Sequence, residues 1–134
     1  MSDTKEILSK YKNIALVGAS KDLNKTSSIV MRHLQNYGFK IYPVNPFMKG
    51  EKILGENVFE KISDISGKID IINVFRPSIE AVEIARVAVL VKAKVLWLQL
   101  DIKNDEAKKI VEANDIIYVE NKCTKVEFER FYKI

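Results

Sequence analysis

The chain has 134 residues, 47% hydrophobic and 30% charged, with a formal net charge of +4 at pH 7. That length suits one domain spanning 1–134 that buries a core without staples, and the composition is that of a soluble globular protein. Lys92 and Lys94 interrupt the longest apolar run, which excludes a bilayer-spanning helix, and the single cysteine, Cys123, excludes an internal disulfide.

One free cysteine fits a reducing cytoplasm, the expected compartment. Residues 1–6 lack the basic-then-apolar layout of a secretory leader. Lysines and acids are interspersed without a stripe of like charge, and no nucleic-acid-binding motif is present, so neither nucleic acid nor membrane is an expected partner.

Residues 3–12 read as a short helix, capped by Asp3 with Glu6 three positions on. Residues 13–17 form a first, buried strand that ends at Gly18. A polar loop with Lys21 and Lys25 follows, and a helix over 27–37 stops at Gly38. His33 lies among the apolar positions of that helix and is read as packing. The second strand, 39–44, contains Pro43, which marks an edge or an unpaired position. Residues 47–68 are irregular, with a turn expected around 49–55 and a brief helical segment near 58–62.

The third strand, 69–75, is apolar enough to be central in a parallel sheet. A helix then opens at Pro77 or Ser78 and runs to about 92 with a broad apolar surface (Ile79, Val82, Ala85, Val89 and Leu90). The fourth strand is 94–99, a helix covers 104–113, and the fifth strand is 116–119. Thr124 and Glu127 have the spacing of a capping box for a last helix containing Phe128 and Phe131.

Strands alternating with helices mean right-handed crossovers. The expected fold is α/β: a three-layer, Rossmann-like arrangement around a five-stranded parallel sheet of order 3-2-1-4-5. Ligands of such sheets bind at the carboxyl ends of the strands, where the order reverses. Residues 18–20, 44–46 and 75–77, with Gln99, all end strands on that rim.

A strand, a glycine turn and a helix start form a phosphate-binding arrangement, because helix N–H groups favour anions. The loop is not the dinucleotide fingerprint, since Ser20 and Leu23 stand where the second and third glycines belong. Nor does an acidic residue follow the second strand to hold a ribose. No Gly-Lys-Ser/Thr follows Gly18, so it is not a P-loop.

The segments 17–20 with Lys25 and Ser27, 42–46 with Gly50 and Leu54-Gly55, 70–76, 93–100 and 121–127 together resemble the CoA-binding domain family. These are small stand-alone proteins related to the CoA-binding half of succinyl-CoA synthetase alpha subunits. The likeness covers about residues 10–130. It departs at Asn24, where members often carry proline, and at Pro77, where many carry a second arginine.

The resemblance implies coenzyme A as the ligand, held by Gly18, Ala19, Ser20, Lys25, Ser27, Val44, Asn45, Pro46, Phe75, Arg76, Pro77 and Gln99. Backbone amides near Ser20, the hydroxyls of Ser20, Ser27 and Ser28, and Lys25 suit phosphates, and Arg76 is placed to meet another. Val44, Pro46, Phe75 and Pro77 would sandwich adenine and the pantetheine arm. Gly18 equally suits a tight turn, and Ser27 equally suits a helix cap. Gln99 equally suits backbone satisfaction.

No catalytic residue and no metal-ligand cluster stands out. His33 is mid-helix, and Gly18-Ala19-Ser20 lacks the second glycine of a nucleophile elbow. Cys123 reads as a small residue packed under the last helix, with a mixed disulfide to CoA as the alternative. The expected role is a non-catalytic carrier, sensor or regulator that binds CoA or an acyl-CoA. The rivals are an NAD(P)-binding regulatory or oxidoreductase-like module and the CoA-site subunit of a multi-chain acyl-CoA ligase. A homo-oligomer or a protein partner stays open.

Overall fold

In the computed structural model, which describes residues 3–132, the chain runs α1 (Thr4–Lys10), β1 (Asn13–Val17), α2 (Thr26–Asn36), β2 (Lys40–Val44), β3 (Lys52–Ile53), β4 (Glu56–Asn57), β5 (Ile71–Val74), α3 (Ala81–Val91), β6 (Val95–Leu98), α4 (Asp105–Glu112), β7 (Ile117–Val119) and α5 (Thr124–Tyr132). The Asp3 carboxylate accepts the Glu6 N–H at 2.8 Å and so starts α1 as its sequence requires. Asn104 caps α4 in the same way, accepting the Ala107 N–H at 2.9 Å.

The irregular stretch after β2 is more ordered than its sequence suggests. In place of a plain turn, β3 and β4 pair antiparallel around Leu54-Gly55, both with positive φ, the geometry of a two-residue hairpin turn. The helical piece is a 3₁₀ turn at Ile62–Asp64. Phe59 bridges to the outer side of β2, where its N–H reaches the Pro43 carbonyl at 2.9 Å.

Five strands form one parallel sheet in the order β2-β1-β5-β6-β7. Counted along the chain within that sheet, the order is 2-1-3-4-5, so the α/β, five-stranded parallel architecture is as expected while the third strand is placed differently. An order of 3-2-1-4-5 would put β5 at an edge. All four of its residues are buried, and it pairs with β1 on one side and β6 on the other. The edge falls instead to β2, whose Pro43 has no N–H to offer a further strand. The composition of these two strands therefore selects the observed order.

Alternation along the strands divides the core. Ile14 and Leu16 of β1, Ile71 of β5, and Val95 and Trp97 of β6 pack with α1, α2 and α5. Ala15, Ile72, Val74, Leu96 and Leu98 point the other way, onto Ala81, Ala85 and Ala88 of α3 and Ala107 and Val111 of α4. The alanines let α3 lie close to the sheet.

One polar knot sits inside the first layer. The Thr124 hydroxyl donates toward Asn73 Oδ1 and Gln99 Oε1 at 3.1 and 3.2 Å, and the Thr124 N–H donates to Gln99 Oε1 at 3.1 Å. All three residues are buried. Thr124 and Glu127 therefore do not form the capping box their spacing suggests. Glu127 instead accepts the Thr4 hydroxyl at 2.5 Å and joins α5 to α1.

His33 packs as expected, with its ring 5.2 Å from that of Tyr37 and 6.1 Å from that of Phe128. Its Nδ1 is buried without a partner among the described residues, and its Nε2 lies 3.5 Å from Glu129. Burial pushes the imidazole below its ordinary value of 6.5; Glu129 opposes that shift and Lys125 adds to it. The unfolded chain thus takes up a proton before the folded one does. Stability from this site is full above the ordinary value and lost as pH falls below it. Urea midpoints are expected to decline from about pH 7 to about pH 5.5, and His33→Phe is expected to flatten that decline.

Candidate functional site

The reversal of strand order lies between β1 and β5, and the loops leaving these two strands cross there. Gly18 follows β1 with φ +95°, and a Cβ on it would stand 2.9 Å from the Phe75 carbonyl oxygen and 3.1 Å from Arg76 Cδ. The glycine is required by this close passage as well as by its own backbone angle. The Val44 carbonyl accepts the N–H groups of both Gly18 and Ala19, at 3.1 and 3.2 Å. Asn45 completes the tie: its amide donates to the Ala19 carbonyl, and its side-chain oxygen accepts the Phe47 N–H, both at 2.8 Å.

The rest of the loop is held from α2. The Ser28 hydroxyl donates to the Ser20 carbonyl at 2.6 Å, and the Ser20 hydroxyl accepts the Asp22 N–H at 3.0 Å. Lys25 takes the capping position of α2 with extended backbone, and its carbonyl accepts the N–H groups of Ser28 and Ile29. The N–H groups of Thr26 and Ser27, one turn earlier, have no hydrogen-bond partner among the described residues. Ser27 is thus a first-turn residue rather than a cap.

These elements enclose a cleft of about 510 Å³ lined by Gly18, Ala19, Ser20, Lys21, Lys25, Thr26, Ser27, Asn45, Met48, Phe75 and Arg76. A second cleft of about 350 Å³ shares Gly18, Asn45 and Arg76 with it and adds Val17, Pro46, Phe47 and Glu80. Lys25 makes no ion pair among the described residues, whereas Lys21 lies 3.5 Å from Glu51. Arg76 is engaged by Glu80 through two bonds, at 3.1 and 2.7 Å. Each partner holds the other charged: hydrogen bonding raises the guanidinium above its ordinary value and lowers the Glu80 carboxyl below its own.

Nine of the twelve residues expected at the site therefore meet in these two clefts, and three do not. Val44 contributes its carbonyl and buries its side chain. Pro77 is exposed at the start of the 3₁₀ turn Ser78–Glu80, and Gln99 is committed to the buried knot with Thr124. The Ser28 hydroxyl, expected to face phosphate, donates to the Ser20 carbonyl instead. Cys123 is buried in the same apolar cluster as Phe128 and lines neither cleft.

The expected set lacked Val17, Lys21, Thr26, Phe47, Met48 and Glu80, which also line the clefts. Lys21 was legible as a loop lysine, and Glu80 as an acid four residues after Arg76 just where a helix begins. Phe47, 91% exposed beside Pro46, carried none.

Gly18→Ala is expected to lower the unfolding free energy by about 1–3 kcal/mol, through positive φ and the contact with Phe75. Urea denaturation measures it, and an unchanged midpoint would remove the close passage as a constraint.

The model of the CoA binding domain family matches residues 12–129. The chain is 34% identical to the uncharacterised protein YneT of Bacillus subtilis over 125 residues, 93% of this chain and 91% of that one. The solved structure of a hypothetical protein from Pyrococcus horikoshii superposes with a TM-score of 0.89 at 38% identity, covering 95% of this chain and 88% of the other. A shorter match joins 72 residues, 54% of this chain, at 33% identity to 10% of the ADP-forming acetate–CoA ligase of Methanocaldococcus jannaschii. No helix among the described residues is long and apolar enough to cross a membrane.

Proposed function

Because the chain belongs to the CoA-binding domain family, we propose that it binds coenzyme A or an acyl-CoA at the C-terminal edge of the sheet, as a non-catalytic carrier, sensor or regulator. The observation that carries this reading is the larger cleft, where Lys25 and the N–H groups of Thr26 and Ser27 stand together without partners among the described residues. CoA brings a pyrophosphate and a 3′-phosphate, and such groups gain most from helix-start N–H donors and unengaged cations. Asn45 is occupied in tying two loops together, and no carboxylate stands there to hold a free ribose diol or repel a phosphorylated one. Pro46 and Phe47 offer apolar surface to the less polar parts of the ligand.

A second reading is favoured by the match to the acetate–CoA ligase: the chain lends its CoA site to a separate ligase subunit. Co-purification of such a subunit with the tagged chain supports it. Isolation of the chain alone from its native cells counts against it.

Calorimetric titration of one protein batch with CoA, dephospho-CoA and NAD tests the main proposal. Saturable CoA binding is expected, weaker without the 3′-phosphate and weaker by roughly tenfold in Lys25→Ala. Glu80→Gln is expected to tighten CoA binding a few-fold, because the exposed pair that it removes holds Arg76 only modestly. Gln99→Ala is expected to lower the urea midpoint while leaving CoA affinity unchanged, since Gln99 lines neither cleft. Absence of CoA binding at millimolar ligand, with the protein folded, overturns the proposal.

A further inference from the structure

Helix α3 and the turn before it expose large apolar side chains on the side away from the sheet. Ala81, Ala85 and Ala88 are buried against the sheet. On the outward side Leu90 is 78% exposed, and Ile79, in the 3₁₀ turn leading into the helix, is 86% exposed. Glu83 and Arg86 lie between these two. At about 100° per residue, Glu83, Arg86 and Leu90 fall within about 60° of one another, and Ile79, in the 3₁₀ turn just before the helix, extends that exposed side. The neighbouring helix on the same layer, α4, shows solvent a conventional charged surface of Asp105, Glu106, Lys108, Lys109 and Glu112.

The order of chemical types along the stripe is apolar, acid, base, apolar, with Ile79 as far before Glu83 as Leu90 is beyond Arg86. A two-fold axis through the midpoint between Glu83 and Arg86 lays Ile79 on Leu90 of a second copy and Glu83 on its Arg86. One operation satisfies all four side chains twice over, which is the requirement of an isologous interface. Within the chain Glu83 and Arg86 approach only to 3.4 Å, with 75% and 56% of their side chains exposed. So solvated a pair contributes little and is readily exchanged for partners on another molecule.

We propose that the outward stripe of α3 is the self-complementary interface of a two-fold homodimer, with α3 packed antiparallel on α3 of a second copy. A single helix pair buries less than the roughly 1,200 Å² of a stable complex, so the dimer is weak, with a dissociation constant in the micromolar range or above. The proposal is independent of which ligand the clefts take.

Sedimentation equilibrium on the whole chain from about 10 to 500 µM tests it. A concentration-dependent monomer–dimer equilibrium is expected. Glu83→Arg and Arg86→Glu each place like charges across the axis twice and are expected to weaken association at least about tenfold. An equimolar mixture of these two variants restores opposite charges at both contacts and is expected to associate as a heterodimer. Leu90→Glu is expected to abolish association, and circular dichroism confirms that each variant is folded. A monomer at the highest concentration overturns the proposal. So does a dimer indifferent to the single charge reversals, or a failure of the mixture to associate.

Discussion

The passage of the Gly18 backbone against Phe75 and Arg76 is the constraint on which this structure turns. It occurs at the one place where consecutive strands part to opposite sides of the sheet, so β1 and β5 must exchange hydrogen bonds while their outgoing loops leave in different directions. With 2.9 Å between a hypothetical Cβ and the Phe75 oxygen, only glycine passes. Both clefts are walled by the two loops that cross here, and both include Gly18 and Arg76.

Around that crossing, polar residues divide into those that build the rim and those left over for a ligand. Asn45, the hydroxyls of Ser20 and Ser28, and the Val44 carbonyl hold backbone groups of the first loop. Their bonds keep the loop in one shape before anything binds, which reduces the ordering cost of association. Lys25 and the Thr26 and Ser27 N–H groups remain without protein partners among the described residues. Arg76 is intermediate: it faces both clefts yet is engaged by Glu80, so an anion must compete with a carboxylate for it.

The two layers over the sheet are held by different means. On the α3–α4 side small alanines allow close helix packing onto an apolar cluster, with Asn104 hydrogen-bonded to the Ser78 carbonyl and to Tyr118 at its edge. On the α1–α2–α5 side the apolar core surrounds the Asn73–Gln99–Thr124 knot, and Trp97, fully buried, donates to the Lys122 carbonyl at 2.8 Å. Buried polar groups are costly when unpaired, so this knot ties the start of α5 to the ends of β5 and β6 in a single register.

How much of this was legible in the chain itself depends on the range of the interaction. Local signals were reliable: Asp3 caps α1, Gly38 follows α2, Pro43 sits on an edge strand and the apolar run at β5 is central, because each rests on the chemistry of a few adjacent residues. The site's position was legible too, since strand-ending turns at 18–20, 44–46 and 75–76 converge on one rim in any parallel sheet of this kind. What the sequence left open was which groups at that rim are already spoken for. Asn45, Ser28, Gln99 and Thr124 look equally free along the chain, yet each finds its partner at a distance of 8 to 51 residues. Strand order was of the same kind: a fully buried β5 takes two neighbouring strands, and β2, which carries Pro43, lies at the edge of the five-stranded sheet. The sequence by itself determined the elements and the chemistry offered at their ends. Tertiary structure alone decided which of those polar groups are consumed in holding the fold and which remain for a ligand, because hydrogen-bond partners far apart in the chain meet only after the sheet has formed.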